Sequence, residues 1–348
     1  MTRVCIGIDN GHYGHKLWDH CGKFSTTLTR AKLGENQMVS MIGDSKSSNL
    51  TVNTDGLSFT CGKIRRYDEV NPRTFPTSQL ARVLLHYSIA MHEDGKYSKT
   101  DNLHVCTGIP LGRYFKAGKA IADSELVAEV EANLSKPATI IMPNGEEITR
   151  SLNVVVKPQT FVAWYAYILE EIREPGSDFA KPKVRRREER FNEPVAMIDI
   201  GGGTTEICII EDAKMDMLSS GSEYVGSNDI RTNLEILICD KFKTDSISSF
   251  LIDSAMATKK IAFDGSEFDV SELYKEAHSA ASAKITSYIL NKLGTNRQRE
   301  LNAVRLIGGG VHEFRTAIES TVKRSKIVEN PQHENAKGMY LMCRYLLK

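Results

Sequence analysis

The sequence predicts an α/β fold built as two related halves. Short apolar runs rich in β-branched residues alternate with stretches of helical spacing along the whole chain. A unit of apolar strand, Asp, glycine turn and returning strand occurs twice, at Ile6-Gly7-Ile8-Asp9-Asn10-Gly11 and at Met197-Ile198-Asp199-Ile200-Gly201-Gly202-Gly203. The 348 residues are enough for two cores of ordinary size.

From the N-terminus, Arg3–Ile8 reads as a strand stopped by the turn signal Asp9-Asn10-Gly11, and Lys16–Trp18 and Lys23–Thr29 continue it as a meander. Residues 35–75 are polar and punctuated by Gly43, Asn53, Asp55, Gly56 and Pro72, which predicts a small subdomain of short strands and loops. Leu80, Val83, Leu84, Tyr87 and Met91 share one face of a helix over Ser78–Met91. A strand at Leu103–Thr107 and a loop at Gly108–Gly112 come next, then a helix around Leu126–Leu134 and strands at Ala138–Met142 and Leu152–Val156. Pro158 precedes a helix over Phe161–Ile172. Glu174–Pro194 carries Pro175, Gly176, Pro182 and the basic run Lys183–Arg190, and it is the clearest loop in the chain. A solvated excursion is its first reading, and a contact to a partner or neighbouring subunit its second.

Beyond this loop the pattern predicts strands at Val195–Ile200 and Glu206–Ile210 and helices at Ser227–Leu237 and Ser271–Leu293. A strand at Val304–Ile307, a helix at Glu313–Thr321 and a closing helix from Asn335 to Leu347 complete it. The expected domains are 1–165, rejoined by the C-terminal helix in 331–348, and 166–330, in which 174–194 is an inserted loop and 227–294 a second small subdomain.

Lys+Arg 45 against Asp+Glu 44 leaves a net charge of +1, without the concentrated basic surface that direct binding of DNA takes. Seven cysteines are scattered without a CxxC pair, which reads as a reducing cytosol. The first residues enter a strand with no secretory pattern, and the apolar run around Phe161–Leu169 is shorter than a membrane span requires. A soluble cytoplasmic protein with no membrane partner is expected.

The two glycine turns carry the chemistry. Glycine lets backbone approach an anion closely, and successive turn N–H groups form an anion-binding nest. Asp9 and Asp199, beside the turns, can hold Mg²⁺ through water, because Mg²⁺ on nucleotide phosphates keeps several of its waters. Two such hairpins facing one another clamp a polyphosphate from both sides. Leu306-Ile307-Gly308-Gly309-Gly310 adds a strand–triglycine–helix turn against which a flat base can lie, with a helix N-terminus beyond it. Any one of these turns alone is ordinary hairpin chemistry; all three in this order are what a divided nucleotide site needs. There is no GxxxxGK[ST], so the chain is not a P-loop protein, and the first turn lacks the GxGxxG helix start of a dinucleotide fold.

The arrangement resembles the superfamily of actin, sugar-kinase and heat-shock-chaperone ATPases, and within it the ParM-type plasmid-segregating actins over nearly the whole chain. Ile8 to Leu17 is similar to the family's first phosphate segment, with Asp9, Gly11 and Lys16 in register. His12 and Tyr13 stand there in place of small hydroxyl residues, which leaves that contact to the backbone. Ile198 to Thr205 resembles the second phosphate segment with one extra glycine, and Ile307 to Gly310 the adenosine segment. Val225 to Asp229 is similar to the second interdomain connection, and Asn335 to Leu341 to the closing stretch.

The resemblance implies an actin-like (ribonuclease H-like) two-domain fold with the nucleotide cleft between the domains. It implies ATP, with GTP left open, held with Mg²⁺ by Asp9, Asn10, Gly11, His12, Tyr13, Lys16, Asp199, Gly201, Gly202, Gly203 and Thr204, and the base near Gly308, Gly309 and Gly310. It further implies self-assembly into dynamic filaments and an adaptor protein that carries plasmid DNA. Gln159 stands at the start of the helix joining the domains, where the family places the residue that orients the attacking water, and Asp199 is the other catalytic candidate. A neutral amide aligns water but is a poor base, which implies slow hydrolysis that follows polymerisation.

Two other classes stay open. A small-molecule kinase of the same superfamily would need a carboxylate base where Gln159 stands. A chaperone-like ATPase would continue into a substrate-binding domain beyond Lys348. His12, His15, Asp19 and His20 suggest a metal cluster, but on a strand His12 and His15 point to opposite faces. Lys259 and Lys260 stand where they can approach a base or ribose, without a firm match. Met339, Leu341, Met342, Tyr345 and Leu346 read as packing on the first domain in preference to a membrane foot.

Overall fold

Val4–Asn10 lies at the centre of a five-stranded sheet, antiparallel to Gly14–Asp19 and parallel to Leu103–Ile109. Phe24–Leu28 and Asn153–Pro158 form the two edges. Val195–Ile200 repeats the arrangement in a six-stranded sheet, antiparallel to Thr205–Glu211 and parallel to Ala303–Ile307. All six residues of Val195–Ile200 are buried, as expected of an apolar strand covered on both faces. The computed structural model describes residues 4–11, 14–34, 49–62, 64, 67–68, 71, 73–99, 102–117, 119–172 and 182–347.

Helices cover these sheets for local reasons. Gln79–Met91 begins at Ser78, whose Oγ accepts from the Ala81 N–H at 3.2 Å, a cap worth about 1 kcal/mol. Ser271–Leu293 buries Ala277, Ala281, Ile285, Ile289 and Leu293, a stripe with a repeat of four residues that packs beside Asn228–Phe242. The helices Asn228–Phe242 and Ser249–Thr258, the hairpin Lys260–Phe263/Ser266–Asp269 and Ser271–Leu293 together make a lobe beyond the second sheet.

The lobe beyond the first sheet differs from the sequence reading, which confined it to 35–75. Its sheet pairs Ala31–Leu33, Leu57–Cys61 and Leu50–Thr54 with Ala138–Ile141 and Glu147–Arg150. Strands so far apart in the chain leave no local signal of their pairing. Residues 35–48 lie outside the described residues.

Three further expectations are corrected. The helix read over Phe161–Ile172 is only Ala163–Ile168, and Leu169–Ile172 turns into a strand antiparallel to Lys183–Arg186. The described part of the 174–194 loop is therefore ordered as that strand and the short helix Glu188–Phe191, while 173–181 lies outside the described residues. Tertiary partners override the helical spacing: Glu170 meets Arg185 at 2.7 Å, and Glu171 accepts hydroxyl bonds from Tyr340 at 2.7 Å and Tyr345 at 2.8 Å. Gly108 belongs to the Leu103–Ile109 strand instead of a loop, and Leu111–Tyr114 makes a helical turn.

The C-terminal helix Glu334–Tyr345 is wedged between the first sheet and the Ala163–Ile168 helix by backbone contact. A Cβ on Gly7 would lie 2.0 Å from the Ala336 oxygen, and one on Gly338 would lie 1.9 Å from the Val162 oxygen. No side chain fits at either position. Among the described residues no helix is long and apolar enough to cross a membrane.

Asp19 anchors the turn after Gly14–Asp19. Its buried carboxylate accepts from the Cys21 and Lys23 N–H groups at 2.8 Å, from Tyr97 Oη at 2.6 Å and from His92 Nε2 at 3.3 Å. Burial alone would raise this carboxyl, but the donors His92, Tyr97 and Lys23 outweigh it and hold it down to about 2. Because the folded value is depressed, the stabilisation is complete above the unfolded value near 3.9 and is lost as pH falls through about 2. Asp19→Ala is expected to cost about 2–4 kcal/mol at neutral pH, with the gap to the parent closing in acid. Urea unfolding of both proteins between neutral pH and pH ~2.5 checks this.

Candidate functional site between the two hairpins

Asp9 ends the first central strand and sits opposite Lys16 in the antiparallel register, so both side chains share one face of the sheet. Lys16 Nζ stands 3.9 Å from Asp9 Oδ2. Gln159 follows the edge strand Asn153–Pro158, and its N–H donates to the Ile109 oxygen at 2.9 Å. Its Nε2 donates to Asp9 Oδ1 at 3.0 Å and to the Gly108 oxygen at 3.4 Å. Gly108 leaves room for this amide: a Cβ there would lie 2.8 Å from Gln159 Cγ and 2.5 Å from Met339 Cε.

Asp199 ends the second central strand. Its Oδ2 accepts from Asn335 Nδ2 at 2.6 Å, and Asn335 Oδ1 accepts from the Thr160 N–H at 3.2 Å. One amide at the start of the C-terminal helix thus ties the second hairpin to the turn that holds Gln159. Burial, and then the charge of Asp9, push the Asp199 carboxyl up to about 7. Burial also raises Asp9, against the opposing pull of Lys16. Two carboxylates face each other here with too little positive charge between them.

The glycine turns are built as tightly as their sequences predict. In the second hairpin Gly201 N–H donates to the Thr204 oxygen at 2.9 Å. The Gly201 and Gly202 oxygens accept from the Ser227 and Asn228 N–H groups at 3.1 and 2.8 Å, so the turn satisfies the first donors of the Asn228–Phe242 helix. Gly308 has φ +93°, and a Cβ there would lie 2.2 Å from Asp199 Oδ1. Gly309 instead opens onto free space, with nothing among the described residues within 4 Å of an added Cβ.

One cleft gathers Asp9, Asn10, Gly11, Lys16, Gln159, Asp199, Gly201, Gly202, Thr204, Gly308 and Gly309. Gly203 and Gly310 do not line it; Gly310 lies under the third turn, its N–H donating to the Ile200 oxygen at 2.8 Å. His12 and Tyr13 fall outside the described residues. Phe75, Pro76, Gly108 and Pro110 also line the cleft and were not foreseen, because nothing local marks a residue that only tertiary packing brings there. Lys259 sits instead against the Tyr274 ring, its Nζ 3.0 Å from the centroid.

The site suits a hard cation on a polyphosphate. Among the described residues, Asn10 Oδ1 is buried without a hydrogen-bond partner, next to two buried carboxylates that repel one another. No group of three or more His, Cys, Asp or Glu side chains among the described residues is arranged to hold a metal by itself. A cation between Asp9 and Asp199 would therefore complete its shell with water and phosphate oxygens, as Mg²⁺ does.

Glu206 was missed. It stands opposite Asp199 in the hairpin register and is buried. Its Oε1 accepts from the Leu111 N–H at 2.9 Å and Ser222 Oγ at 2.8 Å, and its Oε2 accepts from Thr160 Oγ1 at 2.6 Å. Burial, then the Asp199 charge, push it up to about 8. The available signal was a carboxylate at the start of an apolar strand, three residues past the last glycine of the turn.

Two sheets of one local topology, each offering an Asp-bearing hairpin to a shared cleft, constitute the actin-like two-domain fold. Solved ParM structures share it: the chain matches a non-polymerisable quadruple mutant of pCBH ParM with a TM-score of 0.72 at 16% identity, over 97% of this chain and 98% of that one. A 15-stranded ParM filament from Clostridium botulinum matches with a TM-score of 0.71 at 16% identity, over 99% of each chain. An archaeal actin homologue solved in complex with ADP matches with a TM-score of 0.66 at 19% identity, over 97% of this chain and 98% of that one. The family described as archaeal actin homologue MreB-like, C-terminal, matches residues 197–320. No curated protein matches the sequence.

The glycine geometry separates two neighbouring substitutions. Gly308→Ala is expected to destabilise the folded protein by about 2–3 kcal/mol, since it combines a left-handed backbone with overlap on Asp199. Gly309→Ala is expected to stay within about 0.5 kcal/mol of the parent. Thermal unfolding of the two variants without nucleotide checks the contrast.

Proposed function

We propose that the chain is an ATPase that assembles into nucleotide-dependent filaments. The observation that carries this reading is the convergence of Asp9, Lys16 and Asp199, from separate strands of two sheets, with Gln159 from the turn after a fourth strand, in one cleft lined by glycine turns. Each half contributes one hairpin, so a polyphosphate held by both links the halves. Lys16 neutralises phosphate charge, and the Gly11 and Gly201–Gly202 turns bring backbone against it. Asp9 and Asp199 would hold Mg²⁺ through its waters, and the ion would supply charge neutralisation on the phosphate oxygens. The base lies against Gly308 and Gly309, a backbone surface that selects weakly between ATP and GTP.

Gln159 orients the attacking water. Its Nε2 is committed to Asp9 and the Gly108 oxygen, which fixes the amide plane and leaves Oε1 to accept from water. An amide cannot take the proton well, so its contribution is alignment, on the order of 10²-fold in rate. Hydrolysis breaks the phosphate link between the hairpins and loosens the halves, so nucleotide state sets filament lifetime.

The ParM likeness supports a finer reading, in which the filament moves plasmid DNA in the cytoplasm through a DNA-bound adaptor protein. The basic run supports it as well: Arg185 and Arg187 pair with Glu170, Arg186 pairs with Glu188, and Arg190 covers the Tyr167 ring. These cations are engaged within the chain, where a DNA-binding face would present them to phosphate.

Two measurements test the reading. Light scattering is expected to rise on adding Mg²⁺-ATP to the purified protein, and Gln159→Ala to assemble equally while releasing phosphate about 100-fold more slowly. A parent-like rate of phosphate release in that variant removes Gln159 from the role, and absence of any nucleotide-dependent assembly in the parent removes the filament. Gly309→Ala, although stable, is expected to bind ATP at least about 10-fold more weakly, because the added methyl enters the space given to the base; equilibrium titration with a fluorescent ATP analogue reads this.

A further inference from the structure

Thr160 is a buried β-branched residue with φ +61°, a conformation that such residues adopt only when their surroundings impose it. It directly follows Gln159. Two contacts impose the turn: its N–H donates to Asn335 Oδ1 at 3.2 Å, and its Oγ1 donates to Glu206 Oε2 at 2.6 Å. The other Glu206 oxygen accepts from the Leu111 N–H on the first half and from Ser222 Oγ on the second, at 2.9 and 2.8 Å. Ser222 is also the cross-strand neighbour of Glu206, and its Oγ accepts from the Gly112 N–H at 2.8 Å. One carboxylate, carried by the second half, thus holds three donors around the strained turn that aims Gln159.

We propose that Glu206 is a positioning residue for hydrolysis, which rests on the reading of Gln159 as the group that orients water. Glu206 does not line the cleft and touches no nucleotide; it acts through Thr160. Because its strand leads from the glycine turn that takes phosphate, a shift of the second half moves Glu206 and, through Thr160, the Gln159 amide. Hydrolytic competence is coupled in this way to the relative placement of the halves. Without that carboxylate, Thr160 loses one of the two contacts that hold it in the left-handed region, and the Gln159 side chain relaxes away from its aim.

The chemistry of the three donors selects the variants. Glu206→Ala removes every acceptor. Glu206→Gln keeps Oε1 for Leu111 and Ser222 and offers Nε2 to the Thr160 hydroxyl, which can turn round to accept it. Thr160→Val deletes the hydroxyl, and with it the bond to Glu206 and the weaker pull on Asp199, at nearly constant shape.

The test is single-turnover phosphate release by the full chain with saturating Mg²⁺-ATP, together with nucleotide affinity and light scattering. Glu206→Ala and Thr160→Val are each expected to slow release by about 10-fold or more, the scale at which small misplacements act, while ATP affinity stays within about 3-fold and assembly persists. Their combination is expected to be no slower than Glu206→Ala alone, since both cut the same link. Glu206→Gln is expected to recover the parent rate to within about 3-fold. Parent-like release by Glu206→Ala beside a slow Gln159→Ala overturns this inference and leaves the Gln159 reading standing. Parent-like release by Gln159→Ala fells the reading itself and this inference with it. A Glu206→Gln protein as slow as Glu206→Ala shows that charge matters instead of position, and also overturns it. Should Glu206→Ala fail to fold, Thr160→Val decides alone, and a parent-like rate there is fatal to the proposal.

Discussion

Two acidic side chains buried in one cleft set the terms for the rest of this molecule. Asp9 and Asp199 each end a central strand, each is raised by burial, and the charge of one raises the other. Such a pair is tolerable only where donors and cations are brought to it. The chain meets that demand with Lys16 across the hairpin, Gln159 on Asp9 and Asn335 on Asp199. Gln159 and Asn335 lie 150 and 136 residues along the chain from the Asp each serves, so the cleft and the fold that assembles it stand or fall together. The remaining imbalance, with an Asn10 oxygen beside it that has no partner among the described residues, is what suits the site to a cation-bound anion.

Delivery of Asn335 depends on a steric fact remote from charge. The C-terminal helix reaches its place because Gly7 and Gly338 let backbone touch backbone on both of its sides. A helix held one side chain further away could not hand its first amide to Asp199 and Thr160 together. Close packing in the core and polar satisfaction in the cleft are therefore one requirement, expressed within the first two turns of the same helix.

Two kinds of contact join the halves. Glu206 and Asn335 make buried hydrogen bonds between them, whereas Arg30, after the first meander, pairs with Asp253 of the second lobe at 2.9 Å where both are partly exposed and ion pairs contribute little. Under the proposed function, a polyphosphate that bridges both hairpins adds to the buried contacts.

The sequence by itself determined the α/β class, the two strand–Asp–glycine hairpins and the triglycine turn, because each rests on local chemistry: β-branched runs, an Asp at a strand end, glycines where backbone must turn tightly. The long helix Ser271–Leu293 was legible to its ends for the same reason, a sustained apolar period. Only the tertiary structure decided the rest. It cut the predicted Phe161–Ile172 helix short, since Glu170 and Glu171 gain more from Arg185, Tyr340 and Tyr345 than from another helical turn. It drew Ala138–Ile141 and Glu147–Arg150 into the first lobe through ladder bonds between strands far apart in the chain. It also gave Glu206 and Asn335 their place between the halves, because a buried carboxylate or amide takes its role from donors and acceptors that other segments supply, and neither residue carries that information in its neighbours along the chain.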